Sequence, residues 1–301
     1  MPEIQEVDDD DWQRLTYQLR NGDCTPFLGA GACGTSLPTG RQLSLELAGE
    51  WDYPFADAHD LTKVTQFGTV KFGDAVYVKQ LVCDRLSDAE PPDFSDPLEP
   101  HGLLAGLPLP VYLTTNYDDF IVQALTSADK KPNSAVCAWN DDIGYAHDLL
   151  DREAGWNPLP DTPLVYHLHG SLEDPRSIVI TEDDYIEFMS GLILDRRNDD
   201  QRMIPPVILA ALTRRALLFV GYSLQDWTFR ALFTRLARTV PGINRRRHVS
   251  VQLTPASANP KNDVRKIRDL MTRHYEGWKI SVFWGTAEDF CGELRRRMES
   301  S

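Results

Sequence analysis

The sequence lacks the cysteine spacing of a zinc ribbon or a disulfide framework. Its five cysteines are an odd number, they are widely scattered, and no two of them form a CxxC pair. Scattered thiols of this kind are typical of reduced core residues. They are Cys24, Cys33, Cys83, Cys137 and Cys291. We therefore expect no zinc ribbon, no disulfides and no bound metal.

Long apolar runs are also missing. No run approaches the roughly 18 residues that would span a bilayer, although 42% of the residues are hydrophobic and can form a large core. The segment Met1–Asp11 is acidic and has neither the basic start nor the apolar stretch of a signal peptide. We therefore expect a cytoplasmic protein that does not enter a membrane.

Positive charge is scarce as well. The chain has 45 acidic residues against 31 lysines and arginines, which gives a formal net charge of -14. An acidic surface repels the phosphate backbone of DNA and RNA. Direct nucleic-acid binding is therefore not expected.

What is present is a series of short, continuous apolar runs separated by helical patterns. Runs without alternation are typical of strands buried on both faces of a parallel sheet. The predicted strands are Thr25–Leu28, Val111–Thr114, Leu164–Leu168, Ala216–Val220, Val249–Leu253 and Ile280–Trp284, and the clearest helices are Gln42–Trp51, Asp74–Leu86, Trp227–Arg238 and Pro260–Tyr275. This alternation predicts an α/β fold with a doubly wound, mostly parallel, Rossmann-like sheet.

The spacing of the strands indicates one domain, residues 1–301, with a helical insertion module. The gap between the first two strands is too long for a single crossover helix. We assign the Rossmann-like core to residues 12–40, 108–129, 162–184 and 205–301. The insertion is assigned to residues 41–107, with contributions from 130–161 and 185–204.

A glycine turn follows the first predicted strand. Gly29, Gly31 and Gly34 match the pattern GxGxxG, whose backbone N–H groups can hold the pyrophosphate of a dinucleotide. The pattern alone is weak, and a glycine-rich core turn is the alternative. Thr35–Pro38 also delays the next helix, and no acidic strand end follows about 20 residues later, as an ordinary Rossmann fingerprint requires.

Small and polar residues also follow three other predicted strands. They are Thr115-Asn116-Tyr117-Asp118, Leu168-His169-Gly170 and Gly221-Tyr222-Ser223-Leu224. Ligands of parallel sheets bind outside the carboxyl ends of the strands. All four motifs are therefore predicted to converge on one ligand site.

The order and spacing of these motifs resemble the sirtuin-like family, and more closely its bacterial branch of NAD-consuming defence and toxin proteins. Gly285-Thr286-Ala287 is a further, weaker match, at the place where the family binds the adenosine end of NAD. The zinc module with two CxxC pairs that many sirtuins carry has no counterpart here. The resemblance therefore implies an NAD+ site. The missing zinc module puts protein deacylation in doubt.

The resemblance implies a catalytic role for Asn116. The side-chain chemistry of His169 and Asp118 makes them candidates for the same site, with Asp118 able to orient Asn116 or to bond a ribose or the nicotinamide amide. An asparagine amide can hold a ribose hydroxyl and a water molecule, and a histidine can act as a base near neutral pH. Structural roles are the alternatives: a buried turn asparagine, a structural histidine and a helix-capping aspartate. His167 and His169 face the same side of a strand, but no third ligand completes a metal site.

The residues predicted to bind NAD+ come from the same motifs. They are Gly29, Ala30, Gly31, Thr115, Gly221, Ser223, Gly285 and Thr286. NAD+ is expected here as the substrate.

The resemblance implies an NAD+ hydrolase that forms ADP-ribose and nicotinamide, as a regulated effector that depletes NAD in anti-phage defence. By the same analogy we expect a homo-oligomer and a separate activating partner, such as a ring-forming ATPase, an Argonaute-type protein or another sensor. Two alternatives stay open. One is a non-catalytic subunit that senses NAD or ADP-ribose, and the other is an NAD-dependent deacylase or ADP-ribosyl transferase.

Overall fold

The protein is described by a computed structural model that covers residues 7–144, 146–150, 156–194, 203–224, 231, 246–253 and 264–299. Seven strands form one sheet in these ranges, and every neighbouring pair is parallel. The strands are β1 (Cys24–Leu28), β2 (Val111–Thr114), β3 (Asn133–Val136), β4 (Leu164–His167), β5 (Ala216–Val220), β6 (His248–Gln252) and β7 (Ile280–Trp284). The six strands predicted from apolar runs are confirmed, with ends that differ by no more than one residue.

The strand order is β3-β4-β2-β1-β5-β6-β7. On one side of β1 lie β2, β4 and β3, which come first in the chain. On the other side lie β5, β6 and β7, which come later. The crevice between the carboxyl ends of β1 and β5 is therefore the topological switch point, where open parallel sheets bind their ligands.

Helices cover both faces of the sheet. Their bounds are α1 (Asp9–Arg20), α2 (Gly40–Glu50), α3 (Leu61–Phe72), α4 (Ala75–Ser87), α5 (Pro100–Ala105), α6 (Phe120–Ser127), α7 (His147–Leu150), α8 (Glu182–Leu194), α9 (Pro206–Arg214), α10 (Val264–Glu276) and α11 (Ala287–Glu299). The predicted helices near α2, α4 and α10 are confirmed. The predicted helix Trp227–Arg238 lies outside the described residues, apart from residue 231.

The alternation of side chains along the buried strands produces two hydrophobic cores. Phe27, Leu113 and Phe219 face one core, with α8, α9 and α10 packed on them, and Leu28, Tyr112 and Leu218 face the other, with α1, α5, α6 and α11. Because successive side chains of a strand point to opposite faces, each of the central strands β1, β2, β4 and β5 supplies both cores. The doubly wound Rossmann-like fold is therefore confirmed.

The edge strand β3 corrects the predicted composition of the insertion. Residues 130–161 were assigned to the helical module, yet Asn133–Val136 pairs with β4 in the sheet. Of these four residues only Ala135 is buried, and two of them, Asn133 and Ser134, are polar. No continuous apolar run therefore marked this strand in the sequence.

The insertion has its own small core, formed by α2, α3 and α4. Leu43, Val64 and Val82 pack there together with Ile178 and Ile180, which follow β4. The predicted end of the insertion at residue 107 is too late, because α5 packs on α6 and belongs to a core of the sheet. Helix α8, also assigned to the insertion, contacts α3 but contributes to the sheet core.

None of the helices in the described ranges is long and apolar enough to cross a membrane.

A buried ion pair joins the insertion to the segment after β4. Lys79 Nζ on α4 lies 2.7 Å from Asp184 Oδ1 on α8, and the two side chains are 6% and 10% exposed. The other oxygen, Asp184 Oδ2, accepts the N–H groups of Ile180 and Thr181 at 3.0 and 2.9 Å. The Asp184 carboxylate is therefore fully engaged inside the protein.

We predict that Lys79→Met lowers the free energy of unfolding by about 3–5 kcal/mol, because it leaves the Asp184 carboxylate buried without its counter-ion. The measurement is chemical denaturation. The matched control is Lys63→Met, which removes a partly exposed pair with Asp57 and should have a much smaller effect, because solvent screens exposed ion pairs. Equal effects of the two changes would contradict this account of the Lys79 pair.

Candidate active site

The loops that follow β1 and β5 pack directly against each other at the carboxyl edge of the sheet. Gly221 has a φ of 68°, which favours glycine. A Cβ atom at Gly221 would lie 2.0 Å from the Ala32 nitrogen, and one at Gly29 would lie 2.6 Å from the Tyr222 Cα. Neither position has room for a side chain. The glycine turn therefore forms a packing surface between two loops.

Several backbone N–H groups of the glycine turn have acceptors within the protein. Gly29 donates to the Val220 carbonyl at 3.0 Å, Gly31 donates to the Gly221 carbonyl at 2.9 Å, and Ala32 donates to the Gly29 carbonyl at 2.8 Å. The sequence assigned the N–H groups of this turn to phosphate oxygens. In the structure these three hold the turn and the β5 loop together, and phosphate binding at the turn stays a prediction.

A first cavity, of about 340 Å³, lies between the sheet edge and the helical insertion. Its polar wall comes from the loops after β2 and β4 and includes Asn116, Asp118 and His169. Its apolar wall includes Leu43 and Leu61 of the insertion. The volume is in the usual range of small-molecule sites. A polar cluster therefore faces a partly apolar cavity.

Asn116 and Asp118 are joined through Cys33. The side-chain amide nitrogen of Asn116 donates to Cys33 Sγ at 3.2 Å, and Cys33 Sγ donates to Asp118 Oδ2 at 3.4 Å. The other oxygen, Asp118 Oδ1, accepts the N–H of Phe120 at 3.1 Å, at the start of α6. All three linked side chains are less than 10% exposed. They form one buried polar chain at the wall of the first cavity.

His169 is placed by a sharp turn after β4. Gly170 has a φ of 93°, and a Cβ atom there would lie 2.2 Å from the Ser177 carbonyl oxygen. The buried imidazole of His169 makes edge contacts with the rings of Tyr185 and Phe188, at centroid distances of 5.6 and 5.2 Å. Helix α8 therefore fixes the orientation of the ring beside the first cavity.

A second cavity, of about 460 Å³, lies on the other side of the β5 loop. Gly221, Tyr222 and Ser223 line both cavities. The opposite walls of the second cavity include Gln252 at the end of β6 and Glu288 at the start of α11. The two spaces therefore adjoin across a shared loop.

The turn before α11 is held by a reciprocal cap. Thr286 N–H donates to Asp289 Oδ2 at 3.0 Å, and Asp289 N–H donates to Thr286 Oγ1 at 3.1 Å. The hydrogen bonds from Thr286 lower the pKa of Asp289. The N-terminus of α11 is thereby held against the second cavity.

With this geometry in place, the chain can be compared with known proteins. The family model described as "SIR2-like domain" matches residues 110–275, which is more than half of the chain. The chain belongs to the SIR2-like domain family. The predicted resemblance to sirtuin-like proteins is therefore confirmed.

Bacterial relatives of this SIR2-like chain are named NAD(+) hydrolase ThsA. The protein from Enterococcus faecium is 29% identical over 71% of this chain and 40% of its own length. The protein from Cytobacillus dafuensis is 27% identical over 76% of this chain and 41% of its own. The chain thus spans about 40% of the length of these curated relatives.

A solved structure described as "Structural Basis for the Mechanism and Regulation of Sir2 Enzymes" aligns with 97% of this chain and 98% of its own. Its sequence identity is 13% and its TM-score is 0.40.

Nearly all the site residues predicted from the sequence of the SIR2-like chain line one of the two cavities. The first cavity is lined by Ala30, Thr115, Asn116, Asp118, His169, Gly221 and Ser223, and the second by Gly31, Gly221, Ser223, Gly285 and Thr286. Gly29 lines neither cavity and lies in the contact between the loops after β1 and β5. The predicted convergence is present, and the roles of the individual residues stay predictions.

Sequence reasoning assigned no ligand role to several polar residues that line the two cavities, among them Cys33, Tyr185, Gln252 and Glu288. Cys33 was interpreted as a core thiol, although it lies inside the glycine pattern itself. Tyr185 was assigned to the insertion. Gln252 is the last residue of β6, and Glu288 directly follows the weaker match Gly285-Thr286-Ala287, so position at a strand end or beside a motif was the available signal.

One group of possible metal ligands occurs among the described residues, and it includes neither His167 nor His169. Atoms of Cys33, His101 and Asp118 lie within 4.8 Å of one another. Zinc binds the thiolate form of cysteine, and burial, with the Asp118 carboxylate nearby, raises the pKa of Cys33 well above its usual range. This chemistry favours the neutral thiol over a metal ligand, and a metal-free site stays a prediction.

We predict that Gly221→Ala disrupts the contact between the β1 and β5 loops and lowers stability by at least about 1–3 kcal/mol, because of backbone strain and the clash with Ala32. The matched control is Gly49→Ala in α2, where a Cβ atom would meet nothing within 4 Å. That change should stabilise the helix by about 0.5–1 kcal/mol. Denaturation curves measure both, and a neutral Gly221→Ala would contradict the packing role.

Proposed function

We propose that this SIR2-like chain hydrolyses NAD+ to ADP-ribose and nicotinamide. The observation that carries the proposal is the convergence of Asn116, Asp118 and His169 on a cavity that adjoins a second one across the Gly221–Ser223 loop. The names of the bacterial relatives support the same substrate.

Two adjoining cavities suit a dinucleotide. In this proposal the first cavity takes nicotinamide and its ribose, because the titratable and amide side chains lie there. The second cavity takes the adenosine, and the pyrophosphate crosses the shared Gly221–Ser223 loop. Each volume is in the usual range of small-molecule sites.

The reaction needs little acid catalysis, because nicotinamide leaves as a neutral, stable ring. The water oxygen bonds to C1′ of the ribose while the bond from C1′ to nicotinamide breaks, and the electron pair of that bond goes to the ring nitrogen. The transition state resembles an oxocarbenium ion. The protein must therefore hold the ribose, place the water and accept one proton.

The residues of the first cavity divide these tasks. Asn116 holds a ribose hydroxyl or the water through its amide oxygen. His169 accepts the proton that the attacking water loses. The Asp118 carboxylate supports the orientation of Asn116 and contributes negative charge near the developing cation.

The biological role proposed with this activity is a regulated effector that depletes NAD in anti-phage defence. An enzyme of this kind must stay inactive until it is triggered. We therefore propose a cytoplasmic homo-oligomer that works with a separate activating partner, such as a ring-forming ATPase, an Argonaute-type protein or another sensor.

We predict that Asn116→Ala and His169→Ala each lower the rate of nicotinamide release by about 100-fold or more while the fold is retained, since each removes a group that acts in the transition state. Chromatography of nicotinamide and ADP-ribose measures the rate, with and without the products of neighbouring genes. Asn133→Ala and His59→Ala are the controls, because neither residue lines either cavity.

The outcomes separate the competing functions. Wild-type rates in both site variants would refute the assignment of these residues. Binding of NAD+ that raises the melting temperature without turnover under any condition would indicate a sensing subunit. Transfer of label from NAD+ to a protein without free ADP-ribose would indicate an ADP-ribosyl transferase, and NAD+-dependent loss of acyl groups from a protein would indicate a deacylase.

We also predict that Glu288 makes the site prefer NAD+ to NADP+. Glu288 is the only charged residue among the described residues that line the second cavity. A carboxylate can accept hydrogen bonds from the adenosine ribose and repels a 2′-phosphate. Glu288→Arg should lower the NAD+/NADP+ affinity ratio by about tenfold or more, which corresponds to about 1.4 kcal/mol.

Calorimetry with the Asn116→Ala variant measures this ratio without turnover. The control is Glu299→Arg, at the far end of the same helix, where Glu299 pairs with Arg295. An unchanged ratio in Glu288→Arg would show that Glu288 does not discriminate between the two nucleotides.

A further inference from the structure

Cys33 occupies a position between two residues of the proposed catalytic site. It is 2% exposed and directly follows the short 3-10 turn Ala30–Ala32. Its sulfur contacts the Asn116 amide nitrogen at 3.2 Å and Asp118 Oδ2 at 3.4 Å. The thiol therefore connects the loop after β1 to the loop after β2.

The two contacts of the sulfur differ in direction. Asp118 presents a carboxylate oxygen, which can only accept, so the S–H group donates to it. Because a thiol has one hydrogen, its sulfur can then only accept from Asn116. Burial and the adjacent carboxylate raise the pKa of Cys33, so the hydrogen that this arrangement needs is present at neutral pH.

This directionality determines which end of the Asn116 amide faces the sulfur. The NH₂ group of an asparagine donates and its oxygen accepts, and the two ends have nearly the same shape. A sulfur that can only accept selects the NH₂ end. The amide oxygen of Asn116 is then left for the first cavity.

The chain of hydrogen bonds begins at a rigid element. The N–H of Phe120 donates to Asp118 Oδ1 at 3.1 Å, which fixes the carboxylate against the first turn of α6. Asp118 fixes the direction of the Cys33 S–H group, and Cys33 fixes the amide of Asn116. Each step is a contact between buried groups, where the cost of an unmade hydrogen bond is high.

We propose that Cys33 is a positioning residue, whose thiol holds the Asn116 amide with its oxygen towards the ribose and the attacking water. The proposal rests on the hydrolase function proposed above. Cys33 itself takes no part in bond making, and its effect on the reaction passes through Asn116.

The test compares three substitutions of Cys33 that differ in the size and the hydrogen bonding of the side chain. Cys33→Ser replaces the thiol with a hydroxyl, which can still donate and accept. Cys33→Val keeps a side chain of similar size that forms no hydrogen bonds, and Cys33→Ala removes both the size and the hydrogen bonds. The matched control is Cys83→Val, a buried cysteine in the core of the insertion. Each variant is measured as the full chain under the conditions in which the wild-type protein is active.

We expect Cys33→Val and Cys33→Ala to lower kcat by about tenfold or more, because small misplacements of a catalytic group have large kinetic effects. The KM for NAD+ should change by less than about threefold, since the binding surface is retained. Cys33→Ser should restore kcat to within about threefold of the wild type. Wild-type kcat in Cys33→Val, or loss of kcat in Cys33→Ser equal to that in Cys33→Ala, would overturn the proposal.

A second readout is independent of catalysis. The side-chain ¹H–¹⁵N resonances of Asn116, assigned with Asn116→Asp, should move in Cys33→Val and Cys33→Ala and return towards the wild-type position in Cys33→Ser. Unmoved resonances would overturn the positioning role even if the enzyme is active. Moved resonances in a protein that does not cleave NAD+ would refute the proposed hydrolase function and leave the positioning of Asn116 supported.

Discussion

The contact between the loops after β1 and β5 sets the geometry on which both cavities depend. Gly29, Gly31 and Gly221 approach each other so closely that no Cβ atom fits at Gly221 or Gly29, and backbone hydrogen bonds join the loops across this contact. The contact lies at the switch point of the sheet, where the chain leaves β1 on one side and returns on the other. The β5 loop is thereby held as a narrow wall with a cavity on each side.

Helices and short turns hold the polar side chains that line the first cavity. Asp118 is tied to the start of α6, and Cys33 to the turn after β1. His169 is set by the turn at Gly170 and by the rings of α8. A site whose side chains are held by buried hydrogen bonds and ring packing is preorganised, which is what stabilisation of a short-lived cation requires.

The helical insertion closes the first cavity on its apolar side. Its own core includes Ile178 and Ile180, and the buried pair of Lys79 and Asp184 joins it to α8. The insertion is therefore coupled to the segment that carries His169.

The sequence by itself determined the class of fold, because continuous apolar runs such as Ala216–Val220 are typical of strands buried on both faces, and their alternation with helical patterns favours a parallel sheet. It also determined which motifs meet, because the carboxyl ends of parallel strands share one edge. It did not reveal β3, since Asn133–Val136 contains two polar residues and only one buried side chain and so forms no apolar run, nor the end of the insertion before α5. Only the tertiary structure decided that the glycine turn is a packing surface and that Cys33 joins Asn116 to Asp118. Both depend on close contacts between residues far apart in the chain, and local sequence patterns carry no information about such contacts.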